Sequence, residues 1–329
     1  MIRTKFTELL GVEHPVVLGG MASGTNLDLV AAVSAAGGLG VLGATGYSPE
    51  QIRAHAEELR RRTTEPFGMN LLLFLIGQRV PEAAVDAILG SGVRVLSTAW
   101  GDPAPYVERA HRAGALVMHM VATAEEARRA VDAGVDSVVA QGTEGGGHVG
   151  YVSTMALVPA VLDVAQGRPV LAAGGIADGR GLAAALAMGA DGVLMGTRFL
   201  ATREAPIPDS YKQAIVDASG SDTVFTQIPD LAPEVRWPGA MSRVIRNRFV
   251  EEWLGREEEL RQRGAEVGKE TEAARANGDR EGMKLFAGQS SGLVHGVESA
   301  ADVVRAVSAE AERLLRERVP SVLATASVR

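Results

Sequence analysis

A histidine directly behind three glycines is the pattern with the clearest chemistry in this chain. Gly145, Gly146 and Gly147 run straight into His148. Residues without side chains leave the imidazole in a pocket walled by backbone, and histidine is the side chain best suited to exchange protons near neutral pH. Two further glycine turns, Gly174-Gly175 and Gly196-Thr197, each stand between a short apolar run and the stretch that follows it. Glycine lets the backbone approach phosphate oxygens, the first amides of a helix point at an anion, and the Thr197 hydroxyl adds a donor. These turns predict a site for a phosphate-bearing ligand beside a titratable ring.

Such groups need a scaffold that brings them together. Apolar, strand-like runs recur at Val16–Gly19, Leu39–Leu42, Phe67–Leu72, Val93–Ser97, Ala115–His119, Ser137–Ala140, Val170–Ala173 and Gly192–Met195. Helical patterns lie between them, at Leu27–Ala36, Pro49–Arg62, Pro81–Leu89, Ala104–Ala113, Ala124–Ala133 and Gly181–Met188. Fully apolar short strands alternating with helices predict parallel strands joined by helical crossovers. Eight such runs fit an α/β fold of the (β/α)8 TIM-barrel type better than an open doubly wound sheet.

In a barrel of this kind the chemistry sits at the C-terminal ends of the strands. Gly19–Gly24 follows the first run, Asn70 ends the third and His119 ends the fifth. The Gly145–His148 loop follows the sixth run, and the two glycine turns follow the seventh and eighth. For His119 both a site-lining and a core role stay open. Glu144 reads as a base or as a solvated loop carboxylate. His295 either faces the cradle or caps the last helix. His14 leads into a strand, and His55 and His111 fall on helix surfaces. Leu73–Ile76 reads as an apolar entrance or as core.

The pattern changes past residue 205, where prolines interrupt the chain. Sixteen of the thirty-one residues in 251–281 are charged. That is too polar for a barrel layer, and it predicts solvent-facing helices with Phe249, Trp253, Leu254 and Leu260 as their inward stripe. The expected division is a barrel over 1–208, a smaller, mainly helical insert over 209–290 that covers the site, and a closing barrel helix and tail over 291–329. The tail from Ser321 is expected to fray.

Composition excludes several classes. The 329 residues carry a net charge of −7, which argues against a nucleic-acid surface. Cysteine is absent, so thiolate nucleophiles and cysteine-ligated metals fall away. The sequence has no H-E-x-x-H motif or acidic-histidine spacing for a catalytic metal. No G-x-G-x-x-G follows a strand to open a dinucleotide-binding unit. The N-terminus lacks the apolar core of a signal peptide, and the uncharged stretch 29–49 is broken by glycines, so no membrane span and a cytoplasmic protein are expected.

With these residues in view, the sequence resembles the flavin-dependent nitronate monooxygenases, also called 2-nitropropane dioxygenases. The matching stretches are PVVLGGMA (15–22), AAGGLGVLG (35–43), PFGMNLL (66–72), AQGTEGGGHVG (140–150), VLAAGGIADGRG (170–181), GADGVLMGTRFLAT (189–202) and AGQSSGL (287–293). The resemblance implies an FMN-binding barrel that oxidises alkyl nitronates with O2 to carbonyl compounds and nitrite. It places the FMN phosphate on Gly174, Gly175, Gly196 and Thr197. Met21 and Ala22 would approach the flavin ring, with Asn70 at the ring or ribityl chain. Gln141, Gly146 and Gly147 would complete the cofactor wall, and Gln289 would lie near the phosphate or ring edge. His148 matches the family's catalytic histidine. Met120 departs from the family, where Lys or Gln often stands and can hydrogen-bond. FMN-dependent enoyl-acyl-carrier-protein reductases share these motifs, so NAD(P)H-driven reduction of an enoyl thioester is the alternative. The segment Trp237–Trp253 favours the monooxygenase. A homodimer through the insert is left open.

Overall fold

A computed structural model describes residues 1–75, 78–79, 81–231, 237 and 240–322. Eight strands form one parallel sheet: β1 (Val16–Leu18), β2 (Gly40–Gly43), β3 (Phe67–Leu72), β4 (Val95–Ala99), β5 (Leu116–Val121), β6 (Ser137–Gln141), β7 (Val170–Ala173) and β8 (Gly192–Met195). Their spatial order is β1-β8-β7-β6-β5-β4-β3-β2. The remaining gap closes where Leu18 N donates to Leu39 O at 2.9 Å and Leu39 N donates to Val16 O at 3.0 Å. The sheet is therefore a (β/α)8 barrel.

Strand alternation sorts the apolar side chains onto two faces. Val17, Val41, Met118, Val139, Leu171 and Leu194 fill the interior. The helix Lys5–Leu10, which the strand-and-helix pattern leaves unannounced, adds Phe6 and Leu10 to that cluster and plugs it. Its single turn and a half is too short to show periodicity, and a Thr4–Thr7 capping box starts it. Leu42, Leu96, Val117 and Val138 point outward, against the helices. Each buried leucine or valine contributes roughly 1.5–3 kcal/mol, so the alternation strongly specifies register.

The chain after β8 is less helical than its charge pattern suggests. Strands Thr223–Thr226 and Met241–Ile245 pair antiparallel, and Met241–Ile245 also pairs with Gly147–Val149 from the loop after β6. Three- to five-residue strands carry too little sequence to show a period. Phe249, Trp253 and Leu260 pack with Ile228, Val244 and Val267 in a small separate core. Leu254 does not join that stripe and is 38 % exposed. The helix Arg248–Trp253 ends one residue earlier, and Leu254 takes extended backbone angles that turn it off the buried face.

The closing helix Ala300–Arg313 packs on the helix Gly179–Ala187. Leu73 is buried, whereas Ile76, Pro233, Pro238 and the tail 323–329 lie outside the described residues. Among the described residues no helix is long and apolar enough to cross a membrane.

Candidate active site

The loops after β6, β7 and β8 meet at one corner of the barrel mouth. Gly174 and Gly175 take φ of +98° and +74°, angles that disfavour any side chain. A Cβ on Gly174 would lie 2.7 Å from Gly142 O and 3.1 Å from Gly145 N, so the β6 and β7 loops are in backbone contact. Gly146 is pressed onto a third segment: its Cβ would stand 2.5 Å from Gly288 N. Gly288 N donates to Thr197 Oγ1 at 2.9 Å, which ties that segment to the end of β8.

This corner suits an anion. Gly196 opens the turn Thr197–Leu200 without any side-chain cap, which leaves its leading amides for a ligand. The buried Thr197 hydroxyl accepts from Gly288, and its own proton has no acceptor among the described residues. Arg198 is turned away, paired with Glu298 and donating to Gly296 O at 3.3 Å. The cradle is thus made of backbone and one hydroxyl. Glu144 neither faces solvent freely nor is free to act as a base. Its Oε2 accepts from Thr154 N and from Thr154 Oγ1, both at 2.9 Å, at the start of the helix Thr154–Leu162. Gln289 is exposed, with its N–H donating to Glu144 O at 2.9 Å. His295 is exposed, and Ser299 caps the last helix in its place.

Met21 and Ala22 follow β1. Ala22 has φ +31°, rare for a residue with a side chain. Asn70 is buried at β3 and donates from Nδ2 to Ser97 Oγ at 3.1 Å. It stands so close to the β1 loop that a Cβ on Gly20 would lie 2.4 Å from Asn70 Cβ. Met120 and Gln141 lie on the inward faces of β5 and β6, at the same mouth.

His148 lies on the strand Gly147–Val149, directly opposite Ser242. Its Nε2 is 2.7 Å from Asp230 Oδ1, and Asp230 Oδ2 accepts from Ser242 Oγ at 2.8 Å. A carboxylate only accepts, so Nε2 carries the proton of the neutral ring and Nδ1 keeps its lone pair. Trp237 stacks on the imidazole with centroids 3.7 Å apart and planes at 22°. Lys284, partly buried, lies close enough to feel the charge of Asp230. Burial pulls its pKa down, and the charges of Asp230 and Glu272 push it back up. A ring with a carboxylate behind one nitrogen and a free basic nitrogen in front is the arrangement of a general base.

Residues 3–310 match the sequence profile of the nitronate monooxygenase family. The chain belongs to that family. It is 41% identical over 254 residues to a Mycobacterium tuberculosis protein named (3aS,4S,5R,7aS)-5-hydroxy-7a-methyl-1-oxo-octahydro-1H-indene-4-carboxyl-CoA dehydrogenase, covering 76% of this chain and 68% of that one. Among solved structures it resembles FabK from Thermotoga maritima at a TM-score of 0.88 and 36% identity, over 98% of this chain and 100% of that one. It also resembles a nitroalkane oxidase from Streptomyces ansochromogenes at a TM-score of 0.83 and 30% identity, over 95% and 99% of the two chains. This nitronate monooxygenase family member is an oxidoreductase.

Around the family's glycine loops stand residues that the sequence did not single out. Asp230 lies 82 positions from His148, in the four-residue helix Ile228–Leu231. Nothing local in Ile228-Pro229-Asp230-Leu231 marks its carboxylate. Ser242 and Lys284 are equally silent. Trp237 falls in the segment that pointed to this family, but its seat on His148 is a tertiary fact.

Proposed function

We propose that this chain is an FMN-dependent nitronate monooxygenase that takes alkyl nitronates and the nitroalkanes from which they form, with O2 as oxidant. The Asp230–His148–Trp237 arrangement carries this reading. When bound, FMN supplies the electron acceptance from the substrate and the reaction with O2. Gly174, Gly175, Gly196 and Thr197 fit its phosphate by offering amides and a hydroxyl proton. Met21, Ala22, Asn70, Gln141, Gly146, Gly147 and Gln289 line the remainder of that site.

The protein's own part is proton handling. His148 Nδ1 takes the proton from the carbon bearing the nitro group. Asp230 holds Nε2–H and offsets the charge of the imidazolium that forms. Trp237 presents a ring face to that cation, and the stack strengthens as the ring becomes charged. The imidazolium then stands as counter-charge to the anionic nitronate. Pre-formed nitronates need no proton removal, so His148 serves them only as a positive charge.

A second reading is favoured by the relative whose name ends in carboxyl-CoA dehydrogenase. There the carbon acid is next to a thioester carbonyl, and electrons are exchanged with NAD(P)H. Anaerobic mixing of the flavin-loaded protein with an alkyl nitronate, NADH and NADPH, each alone, separates the two. Bleaching of the flavin by nitronate and not by nicotinamide is the expected result. Rapid bleaching by NADH or NADPH moves the assignment to the thioester reading. Failure to bind FMN overturns both.

A further inference from the structure

A cavity of about 730 Å³ is lined in part by Trp237, the ring that stacks on His148. Met120 and Gln141 border it at the barrel mouth, where a flavin ring would lie. His119 borders it from the other side of the strand. On β5, Met118 and Met120 pack with the barrel interior, so His119 between them points outward, into the layer between strands and helices. The cavity therefore has walls on both faces of the end of β5.

His119 is 4% exposed. Its Nδ1 is 2.8 Å from Thr98 Oγ1, and Thr98 is fully buried with no other acceptor for its hydroxyl among the described residues. Thr98 therefore donates to Nδ1, because the reverse leaves a buried O–H unmade. The proton of the neutral ring then sits on Nε2, which has no partner among the described residues. Burial pushes the His119 pKa down to about 4, so the ring is uncharged near neutrality. Trp100, Pro103, Ala130 and Ala133 give the cavity a largely apolar wall, and Asp102, Glu126, Arg129 and Asp132 also border it. Trp100 holds φ +55°, an uncommon angle for a bulky residue, and packs edge-on to Trp237 at 5.8 Å.

We infer that this cavity binds the hydrocarbon body of the substrate, and that His119 Nε2–H donates to an uncharged carbonyl oxygen on that body. A volume in the range of drug-sized pockets is far larger than a short nitroalkane needs. A neutral donor in a largely apolar wall suits a ketone, ester or amide oxygen. The inference rests on the nitronate reading for the reacting end of the molecule, and only there.

The test uses the flavin-loaded enzyme and a neutral probe, 2-undecanone, followed by titration calorimetry. Saturable one-to-one binding is expected, with no saturable binding of acetone. His119→Leu should weaken the ketone about tenfold, and His119→Gln, which keeps a donor, should weaken it less. Ala104→Trp adds a ring at an exposed position on the cavity rim and should block the probe without disturbing the core. Absence of saturable binding, or equal binding by all four proteins, overturns the pocket assignment. Turnover of ethyl nitronate is measured in parallel. Turnover without ketone binding sinks the pocket and spares the nitronate reading. Ketone binding with the expected variant pattern, but without turnover, does the opposite.

Discussion

His148 and Ser242 face each other across a two-strand antiparallel pair, and the carboxylate of Asp230 bonds to both. The pairing joins a barrel loop to a strand of the segment after β8. Register between these strands thus sets where the imidazole stands. A shift of one residue would turn His148 to the opposite face. Asp230 is fixed in turn by Ile228, which is fully buried in the small core with Val244 and Phe249.

Asp230→Asn should lower kcat/KM for nitroalkanes by about 10²-fold or more, since an amide no longer favours the tautomer with Nδ1 free. FMN content and the rate with pre-formed nitronate should change far less. Ser242→Ala removes one hydrogen bond, worth about 1 kcal/mol, and should cost less than tenfold. Steady-state rates on nitroalkane and nitronate side by side check this. Equal losses on both substrates would argue against Asp230 serving a base.

His148→Ala should keep FMN and lose most turnover of neutral nitroalkanes. Wild-type turnover of nitroalkane and of nitronate should depend on pH in opposite senses. The two substrates need opposite ring states, so a shared pH profile rules out the base role.

Thr197→Val removes the acceptor of Gly288 N–H and the hydroxyl proton offered to a phosphate. A buried amide left unpaired costs about 1–3 kcal/mol. The variant should melt several degrees lower even without cofactor and should hold FMN about tenfold more weakly. Gly146→Ala drives a methyl into Gly288 N and should be worse on both counts. Thermal melts and flavin titration read the two effects separately.

His119 contributes a pH slope to stability. Its folded pKa lies near 4, below the 6.5 of an exposed histidine. The unfolded chain therefore binds more protons between those values, and stability falls as pH drops through that window. The difference corresponds to about 3 kcal/mol at most. His14 and His55, also lowered by burial, act in the same direction. Urea melts at pH 7 and pH 4.5 should therefore differ less for His119→Gln than for the wild type. An unchanged difference would mean that His119 is already solvated.

The sequence by itself determined the barrel. Each barrel strand is a short, mainly apolar run, and most of the helices between them repeat their buried positions locally, so both signals survive without knowledge of neighbours. It also marked the glycine loops and the His148 behind them, because backbone that must approach a phosphate closely or carry positive φ favours glycine. Tertiary structure alone decided which groups act on that histidine. Asp230, Ser242 and Trp237 come from segments remote in sequence, and a carboxylate has no local pattern that records what it will touch. The same holds for His119. Its place on β5 was legible, but its unpaired Nε2 and the cavity in front of it exist only once β4, β5 and the helices around them have packed.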